Sequence, residues 1–273
     1  MQPPPSRVMP VAPANLFQSY APLHGVYDEM LSAPGALRPH WQHVVHALEA
    51  LGPQELARRW EHVRRLLYEH GVSYNVYGDP QGLDRPWEFD PLPLVIAESE
   101  WLQLETALVQ RAQLLNAMLA DVYGPQQLLA EGMLPPELVF AHTGFLRPCH
   151  NLRVPNGCYL HLYAADLVRA ADGQWRVLAD RTQSPTGAGY ALENRLLLAR
   201  SLADIFHDTH VQRLAPFFHT LQQTLLALAP RHRDNPRIVL LTPGPGDETY
   251  FEHAYLARYL AQRASYDASA PPP

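Results

Sequence analysis

A loop rich in hydroxyl groups and glycine, residues 182–190, is the first stretch of the sequence with a clear chemical capacity. It reads Thr-Gln-Ser-Pro-Thr-Gly-Ala-Gly-Tyr and leads into a helical pattern. Backbone N–H groups at the start of a helix can bind an anion such as a phosphate or a carboxylate. The loop is therefore a candidate to bind an anion. The same pattern also suits an ordinary connection between a strand and a helix, and the residues alone leave both interpretations open.

Three polar residues, Glu193, Asn194 and Arg195, lie close to the start of the helix that follows this loop. An arginine can bind a carboxylate or a phosphate through two parallel hydrogen bonds. An ion pair on the helix surface is the competing interpretation. These residues are candidates for binding a substrate only if the helix start faces a ligand.

The segment before the loop has the pattern of a β-hairpin. Two runs typical of strands, residues 159–169 and 175–180, are separated by Ala-Asp-Gly-Gln at 171–174. An Asp-Gly pair between two such runs is a strong signal for a tight turn between antiparallel strands. The sequence therefore predicts that the loop follows the second strand of a hairpin.

The alternation of side chains along a strand predicts which residues of the hairpin share a face. A turn centred on the Asp-Gly pair places Asp166 opposite Ala179, with Arg181 on the same face. Asp180 then points to the other face, unless a β-bulge shifts the register by one residue. Arg169, at the end of the first strand, is either a positive guide beside Asp166 or an ordinary surface charge.

The other elements follow from hydrophobic periodicity and from the positions of Gly and Pro. Ser99 is placed to cap its helix. The expected fold class is α+β, with helices around a mainly antiparallel sheet and a C-terminal strand–helix unit. Helices are expected over 41–50, 53–70, 99–122, 126–131, 191–207, 211–229 and 248–262, and a short buried strand over 237–241.

Composition narrows the classes of function. The chain has 273 residues, of which 47% are hydrophobic and 18% charged, as in a folded soluble protein. The net charge of -6 argues against a nucleic-acid partner. Neither a membrane span nor a signal peptide is evident, so we expect a cytoplasmic protein without a membrane partner. The Lys and Arg total of 21 is all arginine, so chemistry that requires lysine has no source in this sequence.

Two weaker features remain ambiguous. Gly244-Pro245-Gly246 lies between a predicted strand and a helix, as a phosphate-binding loop would, but it lacks the spacing of the established motifs. The long apolar helix carries Gln110, Arg111 and Asn116. These polar side chains either line a substrate groove or hydrogen-bond neighbouring loops.

Several blocks of the sequence together resemble the circularly permuted ATP-grasp family, which is related to glutathionylspermidine synthase. The longest is WRVLADRTQSPTGAGYALENR at 175–195. The others are GVSYNVYGD at 71–79, EW…QR…LN…DVY within 100–123, and RIVLLTPG at 237–244 with YFEHAYLAR at 250–258. The blocks occur in the family's order and cover roughly residues 25–262.

The resemblance implies an ATP-dependent carboxylate–amine ligase that forms a peptide-like bond, with ATP and Mg²⁺ as cofactors. It also implies small-molecule or peptide carboxylates and amines as substrates. Asp166, and Asp180 if a bulge turns it inward, would hold the metal. Contacts to phosphate or to the substrate carboxylate would come from Arg169, Arg181, Thr186, Gly187, Glu193, Asn194 and Arg195.

One departure from the family pattern affects the metal site. Related synthases carry an Asp on one strand and Glu-x-Asn on the next, whereas this sequence reads Asp166, Ala179 and Arg181 at those positions. Loss of a carboxylate and gain of a cation should weaken Mg²⁺ binding strongly. We expect Arg181 to pair with Asp166 and to occupy part of the space that the metal fills in the related synthases.

The permuted order places a lysine-bearing nucleotide segment after the last block, and this sequence stops before it. The expectation is thus an incomplete ATP-grasp domain that is inactive alone. Its expected organisation is a flexible Pro-rich arm over 1–24, the N-terminal part of the ATP-grasp domain over 25–235, the start of the pre-ATP-grasp unit over 236–262, and a disordered tail over 263–273. The alternatives are a non-catalytic binding module or one subunit of a split ligase with a complementing chain.

Overall fold

The computed structural model describes residues 16–32, 36–74, 85–229 and 236–268. Helices dominate, and the strands of the described residues form two separate antiparallel pairs, β1 with β2 and β3 with β4. This mixture agrees with the predicted α+β class. In chain order the elements are β1 (Leu31–Ser32), β2 (Ala36–Leu37), α1 (Pro39–Glu69), α2 (Glu98–Val122), α3 (Gln127–Ala130), α4 (Pro136–Phe140), β3 (Ala164–Arg169), β4 (Trp175–Arg181), α5 (Ala188–Ser201), α6 (Ala203–Asp208), α7 (Ala215–Ala227) and α8 (Tyr250–Ala268).

The chain forms two compact units. The first unit comprises Met1–Val95, Gly187–Pro216 and Val239–Pro273, and thus contains α1, α5, α6 and α8. The second comprises Ile96–Thr186 and Phe217–Ile238, with α2 and the β3–β4 hairpin. The predicted signature of residues 175–195 is therefore divided, because its strand belongs to the second unit and its helix to the first.

The core of the first unit forms where α1 meets α5 and α6. Val44 and Leu48 are one helical turn apart on α1 and pack against Leu198, Leu202 and Ile205. Residues spaced by four lie on one face of a helix, so each helix buries a single apolar stripe. Two side chains from the predicted arm, Leu16 and Phe17, also pack against this cluster.

Helix α1 contains the break that Gly52 and Pro53 predict. Gly52 has φ 74° and ψ 164°, which is not a helical conformation. Glycine adopts this conformation without a steric penalty, and Pro53 fits the first turn of the segment that follows. The prediction of two helical segments on either side of this point is confirmed.

In the second unit, α2 lies along the hairpin. Its first turn carries Glu98 and Glu100, which suit the positive end of the helix dipole. The N-cap residue is Ala97, and no side chain caps the helix, so the prediction that Ser99 caps it is wrong. The helix begins earlier than expected, which leaves Ser99 inside the first turn.

Other boundaries also differ from prediction. The first hairpin strand begins at Ala164 rather than at residue 159. The helix expected over 191–207 is two helices, because Leu202 has φ -122° and ψ 44°. Helix α8 continues to Ala268, beyond the expected end at Gln262.

The strand expected over 237–241 does not form. These residues pair with no other strand in the described part of the chain, and Val239 and Leu241 are 69% and 88% exposed. A run of four apolar residues is typical of a buried strand. A strand also requires a neighbour to accept and donate its backbone hydrogen bonds, and the apolar pattern alone does not supply one.

Some predicted features lie outside the described residues. They are the NVYGD part of the second block at 75–79, residues 1–15 of the Pro-rich arm, and the tail over 269–273. Among the helices that the structure does describe, none is both long and apolar enough to cross a membrane.

Candidate functional site

The β3–β4 hairpin has the register that the sequence predicts around its carboxylates. Asp166 lies opposite Ala179, and Asp180 lies opposite Ala165. Asp166, Ala179 and Arg181 therefore share one face, as expected. A shift in register does occur, but it falls between Asp166 and Leu167, on the turn side of these pairs. Asp180 consequently remains on the opposite face from Asp166.

The first face of the hairpin carries an ion pair. The Nε and Nη2 atoms of Arg181 both donate to Oδ2 of Asp166, at 3.0 and 2.6 Å. The two side chains are 61% and 44% exposed, respectively. The hydrogen bond from the guanidinium raises the pKa of Arg181 above its ordinary value. The expected pairing of Arg181 with Asp166 is confirmed.

The second face carries Asp180, whose carboxylate is enclosed by donors. Arg111 of α2 donates from Nε and Nη2 to the two carboxylate oxygens at 2.6 and 2.7 Å, and the Tyr163 hydroxyl donates at 2.6 Å. The Arg111 hydrogen bond, followed by the Tyr163 hydrogen bond, holds the pKa of Asp180 below its usual value. Burial, together with the bond to Asp180, raises the pKa of Tyr163 to about 12.

Arg169 is also held on this second face. Its guanidinium forms an ion pair with Glu100 of α2, donates to the carbonyl of Gly173 at 3.0 Å, and lies 4.0 Å from the centre of the Trp175 ring. Trp175 donates from Nε1 to the same carboxylate of Glu100 at 3.1 Å. Only 9% of the Arg169 side chain is exposed. These contacts give Arg169 a structural role, which joins the hairpin turn to α2.

Asn116 of α2 hydrogen-bonds a neighbouring loop, which is one of the two predicted roles of the polar residues on this helix. Its Oδ1 accepts hydrogen bonds from the N–H groups of Tyr159 and Leu160 at 2.8 and 3.0 Å, and its Nδ2 donates to the Gly157 carbonyl at 3.1 Å. Asn116 therefore holds the loop that leads into β3. A groove of about 410 Å³ lies nearer the start of the helix, and apolar side chains that include Leu104, Leu108 and Val177 form most of its lining. Gln110 and Arg111 also line this groove.

The donor set of the hairpin does not fit a magnesium site. Asp166 and Asp180 lie on opposite faces, and each is hydrogen-bonded to an arginine. Within the described residues, no three His, Cys, Asp or Glu side chains come together as metal ligands would. Mg²⁺ requires several oxygen ligands in octahedral geometry, and a guanidinium beside a lone carboxylate opposes it. The two predicted metal ligands thus do not converge in this arrangement.

In the first unit, the start of α5 does bind an anion, and that anion is a side chain of the same chain. The N–H groups of Gly187 and Gly189 donate to the carboxylate of Glu252 on α8, at 2.7 to 2.9 Å. Glu252 is only 3% exposed. Gly187 has φ 111°, a conformation that favours glycine. The predicted capacity of this turn to bind a negative group is therefore observed with an internal carboxylate.

Glu193 and Asn194 make contacts inside the first unit. Glu193 is 3% exposed, and its Oε1 lies 2.6 Å from Nδ1 of His70 at the end of α1. Asn194 accepts a hydrogen bond from Nε1 of Trp87 at 3.0 Å. Both side chains thus connect α5 to segments that precede it in the sequence. The competing interpretation, an ion pair on the helix surface, does not describe these two residues, because Glu193 is buried and both contacts reach other segments.

Arg195 and Thr186 differ in their environments. Arg195 donates to the carbonyl of Gln212 at 3.2 Å, and burial lowers its pKa below the ordinary arginine value. Thr186 is exposed.

The glycine loop that begins at Gly244 closes as a tight turn, with Asp247 donating its N–H to the Gly244 carbonyl at 3.0 Å.

The partners of these residues were not predicted from the sequence. Arg111, Tyr163, His70 and Glu252 each contact a predicted site residue, yet none was predicted to do so. Glu252 had a usable signal, because it lies between Phe251 and Tyr255 on a helix face that packs inward. A carboxylate on an apolar helix face requires a donor nearby, and the turn at Gly187 offers two.

Comparison with known proteins identifies relatives. The family described as circularly permuted ATP-grasp type 2 matches residues 93–263. An uncharacterized protein of Synechocystis sp. is 39% identical over 243 residues, which are 89% of this chain and 50% of that protein. An uncharacterized protein of Mycobacterium tuberculosis is 39% identical over 242 residues, 86% of this chain and 27% of that protein. A second M. tuberculosis protein is 33% identical over 234 residues, which are 86% of this chain and 42% of that protein.

This chain spans about half the length of the Synechocystis relative and about a quarter of the first M. tuberculosis relative. The family match includes α2, the hairpin, α5 and most of α8, which are the elements that carry the candidate residues. Because the match covers more than half of its residues, the chain belongs to the circularly permuted ATP-grasp type 2 family.

Proposed function

We propose that this chain is part of an ATP-dependent ligase that joins a carboxylate to an amine. Membership of the permuted ATP-grasp family is the observation that supports the proposal. The finer kinship with glutathionylspermidine synthase, and with it peptide-like substrates, rests on the sequence blocks at 71–79 and 175–195. The cytoplasm is the proposed location.

The proposed reaction has two steps. A carboxylate oxygen attacks the γ-phosphorus of ATP, which forms an acyl phosphate and releases ADP. The amine nitrogen then attacks the acyl carbon, an amide bond forms, and inorganic phosphate leaves with the electrons of the broken C–O bond. ATP supplies the phosphoryl group, and in this family Mg²⁺ offsets its negative charge.

The two candidate arginines of the hairpin differ in solvent exposure, and we propose different roles for them. Arg181 is 61% exposed and is the proposed contact for a phosphate oxygen, whereas Arg169 is 9% exposed and already bound to Glu100. Thr186, also exposed, is a proposed second donor. Because the chain has no lysine, its positively charged contacts to phosphate would come from arginine, a planar donor that binds two oxygens at once.

A second proposal is a non-catalytic binding module, or one subunit of a ligase whose remaining segment is a separate polypeptide. The observation that favours it is that the carboxylates of Asp166 and Asp180 are both hydrogen-bonded to arginine. A protein that binds a peptide or a partner without turnover does not need these carboxylates for a metal.

Hydroxylamine separates a ligase, single-chain or split, from a non-catalytic binding module, because it converts any acyl phosphate into a stable hydroxamate. The purified chain is incubated with ATP, Mg²⁺, hydroxylamine and a pool of carboxylates, alone and with the part of the Synechocystis relative that lies outside the aligned region. The ligase proposal expects ADP and hydroxamate in equal amounts in at least one mixture. Binding of a peptide without formation of ADP would support the binding module instead.

A further inference from the structure

The exposed face of the β3–β4 hairpin has the geometry of a three-ligand site but only one oxygen ligand. Asp166 lies directly opposite Ala179, and Arg181 follows two residues later on the same strand face. Directly opposed residues have their Cβ atoms roughly 5 Å apart, and diagonal neighbours roughly 7–8 Å apart. Side chains of sufficient length at all three positions could therefore meet around one ion.

The residues at the other two positions, 179 and 181, oppose the binding of a divalent cation. Ala179 has no donor atom. Arg181 places a permanent positive charge against Asp166, with two N–H groups on Oδ2 at 3.0 and 2.6 Å. A divalent ion that approached Asp166 would have to displace the guanidinium and would then stand close to it. Like charges about 4 Å apart repel each other even in water.

We propose that this hairpin binds no divalent cation, because the guanidinium of Arg181 is a built-in cation in its place, and that residues 179 and 181 alone determine this property. The hairpin backbone remains competent to hold a metal. The inference goes beyond the ligase proposal, since it holds whether or not the chain turns over ATP.

Electron paramagnetic resonance of free Mn²⁺ gives a direct test, because bound Mn²⁺ loses the sharp solution spectrum. The full wild-type chain is expected to leave Mn²⁺ free at this site. The double variant Ala179→Glu with Arg181→Asn supplies three oxygen donors on one face. Its affinity for Mn²⁺ is expected to exceed that of the wild type by roughly tenfold or more, which is the order produced by removing a neighbouring like charge and adding an opposite one.

Two controls make the result specific. The variant Leu178→Glu with Arg181→Asn adds the same carboxylate at the neighbouring residue, which is 69% exposed and lies in the register shift, so it is expected to gain much less affinity. Addition of Asp166→Asn to the first double variant is expected to abolish the gain. Circular dichroism and thermal unfolding confirm that each variant is folded.

Two outcomes would overturn the proposal. One is Mn²⁺ binding by the wild-type chain that Asp166→Asn removes, since this would show that Arg181 does not replace the ion. The other is a folded Ala179→Glu/Arg181→Asn variant that binds Mn²⁺ no better than the Leu178→Glu control. That result would mean that the shared face of residues 166, 179 and 181 does not form a ligand set.

Discussion

The buried carboxylate of Glu252 accepts a hydrogen bond from the N–H of Gly187 at 2.7 Å, and this contact fixes the start of α5 against α8. A second N–H, from Gly189, reaches the same carboxylate at 2.9 Å. The helix start carries a partial positive charge that a carboxylate stabilises. The Gly-Ala-Gly sequence therefore has a structural explanation within the first unit.

Gly189 is expected to resist substitution although it lies in a helix. A Cβ atom at this position would come within 2.9 Å of the Cγ of Glu252 and 3.4 Å of its Cα. Gly189→Ala is expected to lower the free energy of unfolding by about 1–3 kcal/mol, because the clash exceeds the gain in helix propensity. Gly246→Ala is the matched control, since a Cβ there meets nothing within 4 Å. Equal urea midpoints for the two variants would contradict the packing at Glu252.

The charge of Glu252 is expected to stabilise the fold. Glu252→Gln keeps the size of the side chain but removes the charge that faces two N–H donors. We expect a loss of about 1–3 kcal/mol in the free energy of unfolding, as for hydrogen bonds to a buried charged group. Glu248→Gln, an exposed neighbour on the same segment, is expected to change it by less than about 0.5 kcal/mol. Urea denaturation measures both, and a neutral Glu252→Gln would refute the role of the charge.

Asp180 makes the stability of the second unit depend on pH. Because its folded pKa lies below the ordinary value, the stability that it adds is present above about pH 4 and is lost as the pH falls through the folded pKa. Asp180→Asn is expected to lower the free energy of unfolding by about 1–3 kcal/mol near neutral pH. The difference from the wild type should shrink at about pH 3. A difference of the same size at both pH values would show that the Arg111 contact does not depend on the Asp180 charge.

Asn116 is expected to hold the loop before β3. Asn116→Ala removes one donor and two acceptor contacts to the backbone of residues 157, 159 and 160. Hydrogen exchange of the Tyr159 and Leu160 amides should become faster by roughly tenfold or more, because each loses its acceptor. Gln113→Ala, an exposed position on the same helix, serves as the control and should leave these two rates unchanged. Unchanged exchange in Asn116→Ala would mean that other contacts hold the loop.

The sequence predicts the pairing of Asp166 with Ala179 correctly, but a turn centred on the Asp-Gly pair does not account for the whole hairpin. Next to the turn the pairs are displaced by one residue, since Leu167 lies opposite Val177, and the register shift after Asp166 restores the predicted pairing. The ion pair of Arg181 with Asp166 then follows from a shared face. The partners of Asp180 and Gly187 are harder to predict from the sequence, because Arg111 is 69 residues from Asp180 and Glu252 is 65 residues from Gly187. Such distant contacts leave no periodic signal.

The error at 237–241 has a related cause. Four consecutive apolar residues describe the side chains that a buried strand requires, whereas the hydrogen-bonding partner determines whether a strand forms. In the described residues that segment has no such partner, and its side chains are exposed. The capping prediction for Ser99 failed similarly, because the start of α2 was placed too late.

Calorimetric titration of the purified chain with Mg·ATP tests the proposed nucleotide function most directly. We expect saturable heat at micromolar concentrations, and an affinity about tenfold weaker in Arg181→Gln, because a charge-assisted hydrogen bond to phosphate is lost. Arg176→Gln, another exposed arginine of the hairpin, should bind as the wild type does. A folded wild-type chain that gives no saturable heat would contradict nucleotide binding and favour the binding module.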